Sequence, residues 1–305
     1  MSSIEIEHST ILPDWLDSFI FDELGANYAP DYVRYEFNHD LTKEEVKSYL
    51  GTYFPRSYTE SYCIFDNLFS NPKYYSVMQQ KSKISILDFG SGTGGEIIGL
   101  LTILSKYLPN LEEITVLAID GNHDALRYST KIIEQFKLHC SISINYTVGP
   151  VSIGDCSDVE ILDEIVQNSF DFILSFKAIC ELISKQRITG NAYQYVANIL
   201  SPKLTDTGLM TLLDVTVKND MIGTYYPIHM NQGLRNFLNA SELFKTIIPL
   251  PCHKFEDSCT HLCFTQRIFK VSHSRRNNDI SKVSYRIMGR KEFIISIIPE
   301  YENGK

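Results

Sequence analysis

Residues 84–101 read "ISILDFGSGTGGEIIGLL": an apolar run of strand character reaches Asp88, passes through Gly90, Gly92 and Gly94, and enters a second apolar run at once. Glycines between a strand and a helix let the backbone approach a ligand closely, at the carboxyl edge where open α/β sheets bind their ligands. The spacing is G-x-G-x-G after an acid, which differs from the G-x-G-x-x-G of nicotinamide-binding turns. The next apolar run, "ITVLAID" (114–120), ends in Asp120, an acid placed to accept both hydroxyls of a ribose.

Outward from this stretch, short β-rich runs alternate with helical stretches between residues 83 and 216, as in parallel βαβ units. The pattern predicts an α/β, doubly wound sheet. Downstream, "FTQRIFKVSH" (264–273) and "VSYRIMG" (283–289) flank the polar "SRRNND" and predict a closing antiparallel pair of the same sheet. Upstream, residues 1–80 are expected to form a helical extension, with residues 81–305 as the second unit. Thr42 and Glu45 in "LTKEEVKSYL" have capping-box spacing, and Gly51 is expected to break the helix before the aromatic "GTYFPRSYTESYCIFDNLF" (51–69).

Composition narrows the setting. The 305 residues, 44% hydrophobic, suffice for one large or two modest domains with a real core. A net charge of −9 would repel a nucleic-acid backbone if spread evenly, so a basic surface must be local. The seven cysteines are odd in number and irregularly spaced, unlike a secreted disulfide framework. The amino-terminal "MSSIEIEHST" has the pattern of neither a signal nor a transit peptide. The apolar "IIGLLTIL" (97–104) is too short to span a bilayer. A cytoplasmic protein with no membrane partner is expected.

The glycine turn and the distal acid resemble the class I S-adenosylmethionine-dependent methyltransferases, over roughly the middle half of the chain. That resemblance implies a seven-stranded, Rossmann-like sheet and S-adenosylmethionine as cofactor. It implies that Gly90, Ser91, Gly92 and Gly94 line the amino-acid and sulfonium portion, that Asp88 orients the ammonium, and that Asp120 and Gly121 bind the ribose. Asn122 would flank the adenine, and Asp155 in "GDCSDVE" is either at its edge or a solvated loop acid; Ser175 and Phe176, expected to touch the cofactor, stand at the end of the "FDFILSFKAICEL" (170–182) strand where an acceptor would sit.

The acceptor side carries less signal, because methyl transfer depends chiefly on placing a nucleophile in line and requires no unique catalytic residue. An Asn-Pro-Pro-Tyr signature is absent, which disfavours base amino-methylation. Cys180 lacks the Pro-Cys context of a cytosine C5 nucleophile and reads as a buried helical thiol. Lys177 ends the same strand. Glu181 is either near an acceptor pocket or a helix-surface acid, and Tyr225, Tyr226 and His229 are candidates to sit over that pocket.

A second motif lies in "LPCHKFEDSCTHLCF" (250–264), within an expected cysteine-bearing loop at 249–264. Cys252, Cys259 and Cys263 are thiolates suited to zinc or iron, but paired Cys-x2-Cys units are missing and a closed site needs four ligands. Together with "VSYRIMGR" (283–290) and the Pro-containing aromatic segment before the core, the stretch resembles a methyltransferase-like family associated with assembly of the small ribosomal subunit, chiefly mitochondrial, with bacterial members. The resemblance implies that the three cysteines are iron–sulfur ligands. That family's fourth cysteine follows the "SY…R" strand, whereas no cysteine follows Cys263 here. Either a histidine (His253, His261 or His273), Cys156 or Cys180 completes a cluster or a zinc site, or the metal has been lost and the three are structural thiols.

Arg267, Lys270, Arg275, Arg276, Lys282, Arg286, Arg290 and Lys291 crowd a segment in which Asp279 is the only acid, a local positive field suited to RNA phosphate. Three functions follow as expectations. The first is an S-adenosylmethionine-dependent methyltransferase acting on RNA or a ribonucleoprotein, with the small ribosomal subunit as partner through residues 267–291. The others are a small-molecule methyltransferase, and a non-catalytic cofactor- and metal-binding assembly factor.

Overall fold

The computed structural model describes residues 6–31, 40–154, 156–248 and 267–298. The strands are β1 (Ile6–Ile11), β2 (Lys83–Phe89), β3 (Glu113–Asp120), β4 (Ser143–Pro150), β5 (Phe170–Phe176), β6 (Leu204–Val215), β7 (Lys218–Asn219), β8 (Thr224–Tyr225), β9 (Phe244–Ile248), β10 (Arg267–His273) and β11 (Arg276–Arg290). The helices are α1 (Asp14–Ser18), α2 (Lys43–Phe69), α3 (Pro72–Met78), α4 (Gly95–Tyr107), α5 (His123–Lys137), α6 (Cys156–Ile165), α7 (Ile179–Ser184), α8 (Ala192–Leu200), α9 (Tyr226–Ala240) and α10 (Lys291–Ile297).

The main sheet runs β1-β10-β11-β6-β5-β2-β3-β4, with β9 also on β11. Strands β2 to β6 are parallel, and their chain order reverses direction between β2 and β5. A crevice opens at such a switch point beyond the strands' carboxyl ends. β5, "FDFILSF", is buried at every position, as a strand covered on both faces must be.

The expected closing pair is β10 and β11, antiparallel to one another, and β11 is antiparallel to β6 as well. Val283 pairs with Val215 on one side and Arg267 on the other, while Ile287 to Arg290 carry β9. The 15-residue β11 thus has β6 along one edge and shares its other edge between β10 and β9.

Among the described residues the main sheet has nine strands, the expected seven with β1 and β9 added, and the amino-terminal part is not wholly helical. Residues 6–11, "IEHSTI", form a strand parallel to β10, extending the sheet with β-branched residues. The capping box at Thr42 is present: its Oγ1 accepts the Glu45 amide, while the Glu45 carboxylate accepts the Thr42 amide at 2.9 Å. The expected break at Gly51 is absent, because α2 runs unbroken from 43 to 69 through Gly51 and Pro55. Gly51 serves a close approach instead: a Cβ there would lie 2.4 Å from the Asn27 carbonyl oxygen.

Residues Phe54 to Ser61 of α2 are all buried, so this stretch is covered all round rather than on one stripe. It packs against α4, whose Gly95 and Gly99 let the helices close: a Cβ at Gly99 would meet the Tyr58 carbonyl oxygen at 2.5 Å. Two of the polar residues this buries are matched directly. Ser61 donates to the Glu96 carbonyl at 2.7 Å, and Arg56 grips Asp279 through Nε at 2.7 Å and Nη2 at 2.8 Å. No described helix is long and apolar enough to cross a membrane.

Candidate active site

The turn after β2 is built from backbone. Gly90, Gly92 and Gly94 hold φ of +77°, +48° and +79°. Gly90 and Ser91 donate their amides to the Ile119 carbonyl at 2.8 and 3.0 Å, which ties the turn to β3. A Cβ on Gly90 would lie 2.1 Å from that of Ala178, so the turn also abuts the segment that follows β5. Gly94 then starts α4.

Asp120 ends β3 and locks this arrangement. Its Oδ2 accepts the Gly92 amide at 2.7 Å and its Oδ1 accepts the Asn122 amide at 2.7 Å. The Asn122 side chain accepts the amides of Asp124 and Ala125 and caps α5, so its oxygen serves the helix.

Behind the turn lies a buried acid cluster. Asp88 is fully buried, and neither carboxylate oxygen has a hydrogen-bond partner. Burial, reinforced by the charges of Glu96 and Asp120, pushes its carboxyl well above the usual range. Burial likewise raises Glu96 to about 8. The hydroxyls of Ser91 and Ser175 are also buried without partners. Such groups cost free energy unless something pairs with them. A ligand carrying an ammonium and hydroxyls matches this donor and acceptor set.

Two cavities open at the crevice. The smaller, about 60 Å³, is lined by Gly90, Asp120, Gly121, Val151, Ile153 and Phe176 among others. The larger, about 620 Å³, lies between α2, the carboxyl ends of β5 and β6, and the middle of β11. Tyr49, Lys177 and Glu181 line both.

Asp120, Gly90, Gly121 and Phe176 all line the smaller cavity. Asp88, Ser91, Gly92, Gly94, Asn122 and Ser175 stand behind its wall or in the turn. Asp155 lies outside the described residues, as do Cys252, Cys259 and Cys263 with the 249–264 loop; the described residues contain no group of three or more potential metal ligands. Of the acceptor candidates, Tyr226, Lys177 and Glu181 line the larger cavity. Tyr225 is exposed, and His229 packs edge-on against Tyr193 with its Nε2 buried and unpartnered. Cys180 lines the cavity too, its thiol donating to the Lys177 carbonyl at 3.2 Å.

Glu60 and Lys177 are the pair that local sequence did not reveal. Lys177 adopts φ +61°, an uncommon left-handed conformation for a residue with a side chain, directly after β5. Its Nζ donates to Glu60 Oε2 at 2.5 Å, and Glu60 is fully buried in α2. The signal available was modest: Glu60 is the only acid between Glu45 and Asp66, in a run rich in aromatic residues.

The basic segment requires correction. Arg286 is 1% exposed and donates to Asn231 Oδ1, to Ser284 and to the Tyr285 carbonyl, so it belongs to the interior. Arg275 pairs with Asp22, Arg290 pairs with Asp206, and Asp279 is buried against Arg56. The eight cations are not one exposed strip, because strand alternation and neighbouring acids divide them.

Counted along the chain without β1 and β9, the sheet order is 3-2-1-4-5-7-6 with the seventh strand reversed. The chain has the class I S-adenosylmethionine-dependent methyltransferase fold. No protein-family model and no curated protein matches it. Among solved structures, it is similar to the plantazolicin methyltransferase BpumL in complex with SAH, at 16% identity and TM-score 0.41, over 90% of this chain and 94% of that one. It is similar to the mitomycin 7-O-methyltransferase MmcR at 8% identity and TM-score 0.42, over 84% of this chain and 60% of that one. A candidate RNA methyltransferase from Pyrococcus horikoshii is similar at 14% identity and TM-score 0.35, over 71% of this chain and 77% of that one.

Proposed function

We propose that the chain is an S-adenosylmethionine-dependent methyltransferase whose acceptor is a small molecule held in the 620 Å³ cavity. The carrying observation is that this cavity meets the glycine-turn cavity at Tyr49, Lys177 and Glu181. Its volume lies within the roughly 300–1,000 Å³ typical of small-molecule sites. S-adenosylmethionine supplies an activated methyl group when bound. In this reading Asp120 and Gly121 hold its ribose, Gly90 and Phe176 border the nucleoside, the turn from Ser91 to Gly94 faces the amino-acid portion, and the Asp88 cluster attracts the ammonium.

The test is methyl transfer from labelled cofactor to a metabolite extract and, separately, to RNA, each at low and high salt. Labelling of a small molecule that persists at high salt supports the reading. Labelling of RNA alone, weakening steeply with salt because phosphate contacts release counterions, overturns it.

A second reading is favoured by the sequence itself. The stretch "PCHKFEDSCTHLCFTQR" followed by "VSYRIMGR" resembles the ribosomal small-subunit assembly family, and exposed Lys218 and Lys282 line the acceptor cavity. Here the acceptor is RNA or a ribonucleoprotein, or the protein assembles without turnover, with Cys252, Cys259 and Cys263 holding an iron–sulfur cluster or zinc. Elemental analysis and a visible spectrum on protein purified without oxygen, with all three cysteines replaced by serine as control, test the metal.

A further inference from the structure

The larger cavity contains two side-chain oxygens that are buried and unpartnered. Glu60 lines it, and only Oε2 of its carboxylate is engaged, by Lys177; Oε1 has no partner. Ser281, on β11, lines the same cavity with its hydroxyl unpartnered. A carboxylate oxygen only accepts, and one left alone in the interior is costly, whereas a charged donor repays it best. The occupant of this cavity is therefore a donor.

Charge and shape narrow the class. Of the cavity's cations, Arg56 is gripped by Asp279, Lys218 faces Asp220 at 3.8 Å, and Lys282 is exposed. That leaves Lys177 inside with the two carboxylates Glu60 and Glu181. Tyr49, Tyr53 and Tyr226 supply aromatic surface, the first two stacked with centroids 4.9 Å apart, and Val215, Val217, Ile280 and Val283 supply apolar wall. Carboxylates among tyrosines suit a cation on an aromatic or apolar frame.

We infer that the methyl acceptor is a primary or secondary amine on an aromatic frame, bound as its ammonium with Glu60 Oε1 as the hydrogen-bond acceptor. This rests on the small-molecule reading above. Before the nitrogen acts as a nucleophile it gives one proton to Glu60 Oε1: the N–H bond breaks, an O–H bond forms, and the pair stays on nitrogen. That pair then forms the N–CH3 bond while the pair of the methyl–sulfur bond remains on the departing thioether. Lys177 keeps the Glu60 carboxylate oriented by holding its other oxygen.

Saturation-transfer NMR with benzylamine, and with benzyl alcohol as its neutral isostere, tests this on the full chain loaded with S-adenosylhomocysteine. The expected result is binding of benzylamine that Glu60→Gln weakens about tenfold or more, the loss of one charge-assisted hydrogen bond, with benzyl alcohol binding unchanged by the substitution. Glu181→Gln is the second variant and should weaken benzylamine less. Calorimetry of S-adenosylhomocysteine on each variant separates folding and cofactor effects from acceptor effects. Failure of the wild type to bind benzylamine, or equal binding by wild type and Glu60→Gln, overturns the inference. Failure of the wild type to bind S-adenosylhomocysteine would instead count against the methyltransferase reading.

Discussion

Asp120 closes the glycine turn: its carboxylate holds the amide of Gly92 at 2.7 Å from the end of the neighbouring strand. The acid is thus part of the turn's structure as well as a candidate ribose ligand. Asp120→Ala leaves the Gly92 and Asn122 amides without their acceptor, at about 1–3 kcal/mol for each buried group. Lower thermal stability and at least about tenfold weaker S-adenosylhomocysteine binding by calorimetry are expected. Unchanged affinity would remove Asp120 from the cofactor site.

Glu96 sets a pH dependence. Its carboxyl is raised from 4.5 to about 8 by burial, so between those values the folded chain keeps a proton that the unfolded chain has released. Folded-state excess protonation makes stability fall as pH rises. Asp88 is shifted in the same direction. Urea unfolding of the cofactor-free protein at pH 5.5, 7 and 8 should give decreasing stability, and Glu96→Gln should flatten the trend. A rise across that window would contradict the buried cluster.

The crossing of α2 and α4 tolerates no added carbon at Gly99, where a Cβ would meet the Tyr58 carbonyl at 2.5 Å and the Ser61 Cβ at 2.8 Å. Gly99→Ala should destabilise by about 1–3 kcal/mol despite alanine's better helix propensity. Chemical denaturation decides it, and a stabilised variant would mean that the helices are further apart than described.

Arg56 and Asp279 form a buried, two-point ion pair 223 residues apart in sequence. Asp279→Ala strands the guanidinium and should cost about 3–5 kcal/mol, while Arg56→Met with Asp279→Leu should recover most of it. Equal losses in the single and double variants, measured by urea titration, would show that the pair is not an isolated unit.

What sequence discloses here follows from the range of each interaction. The strand, glycines and distal acid of residues 84–120 act within one βαβ unit, and the Thr42 capping box acts within four residues, so both are legible locally. The β10–β11 pair is legible because a short polar turn joins two apolar runs. Gly51 misleads because its role depends on Asn27, and propensity yields to that packing. Arg286 misleads because charge alone does not say which face of a strand a residue occupies. Glu60 and Lys177 lie 117 residues apart, and their meeting needs α2 seated over the end of β5. The larger cavity is walled by such long-range encounters, which explains why the glycine turn is the easier to read.

The placement of β11 has a temporal consequence. It is an interior strand of the sheet, yet its residues follow those of every other described strand. During synthesis, β6 is left with an unsatisfied edge until residues 276–290 emerge, and β10 has no route into the sheet except through them. Non-local pairing of this kind slows folding and leaves a sticky edge exposed meanwhile. A nascent chain halted before residue 276 should aggregate or engage chaperones, whereas one halted after residue 290 should not. The same strand carries Ile280, Ser281, Lys282 and Val283, so the larger cavity has no wall on that side until almost the whole described chain has been made.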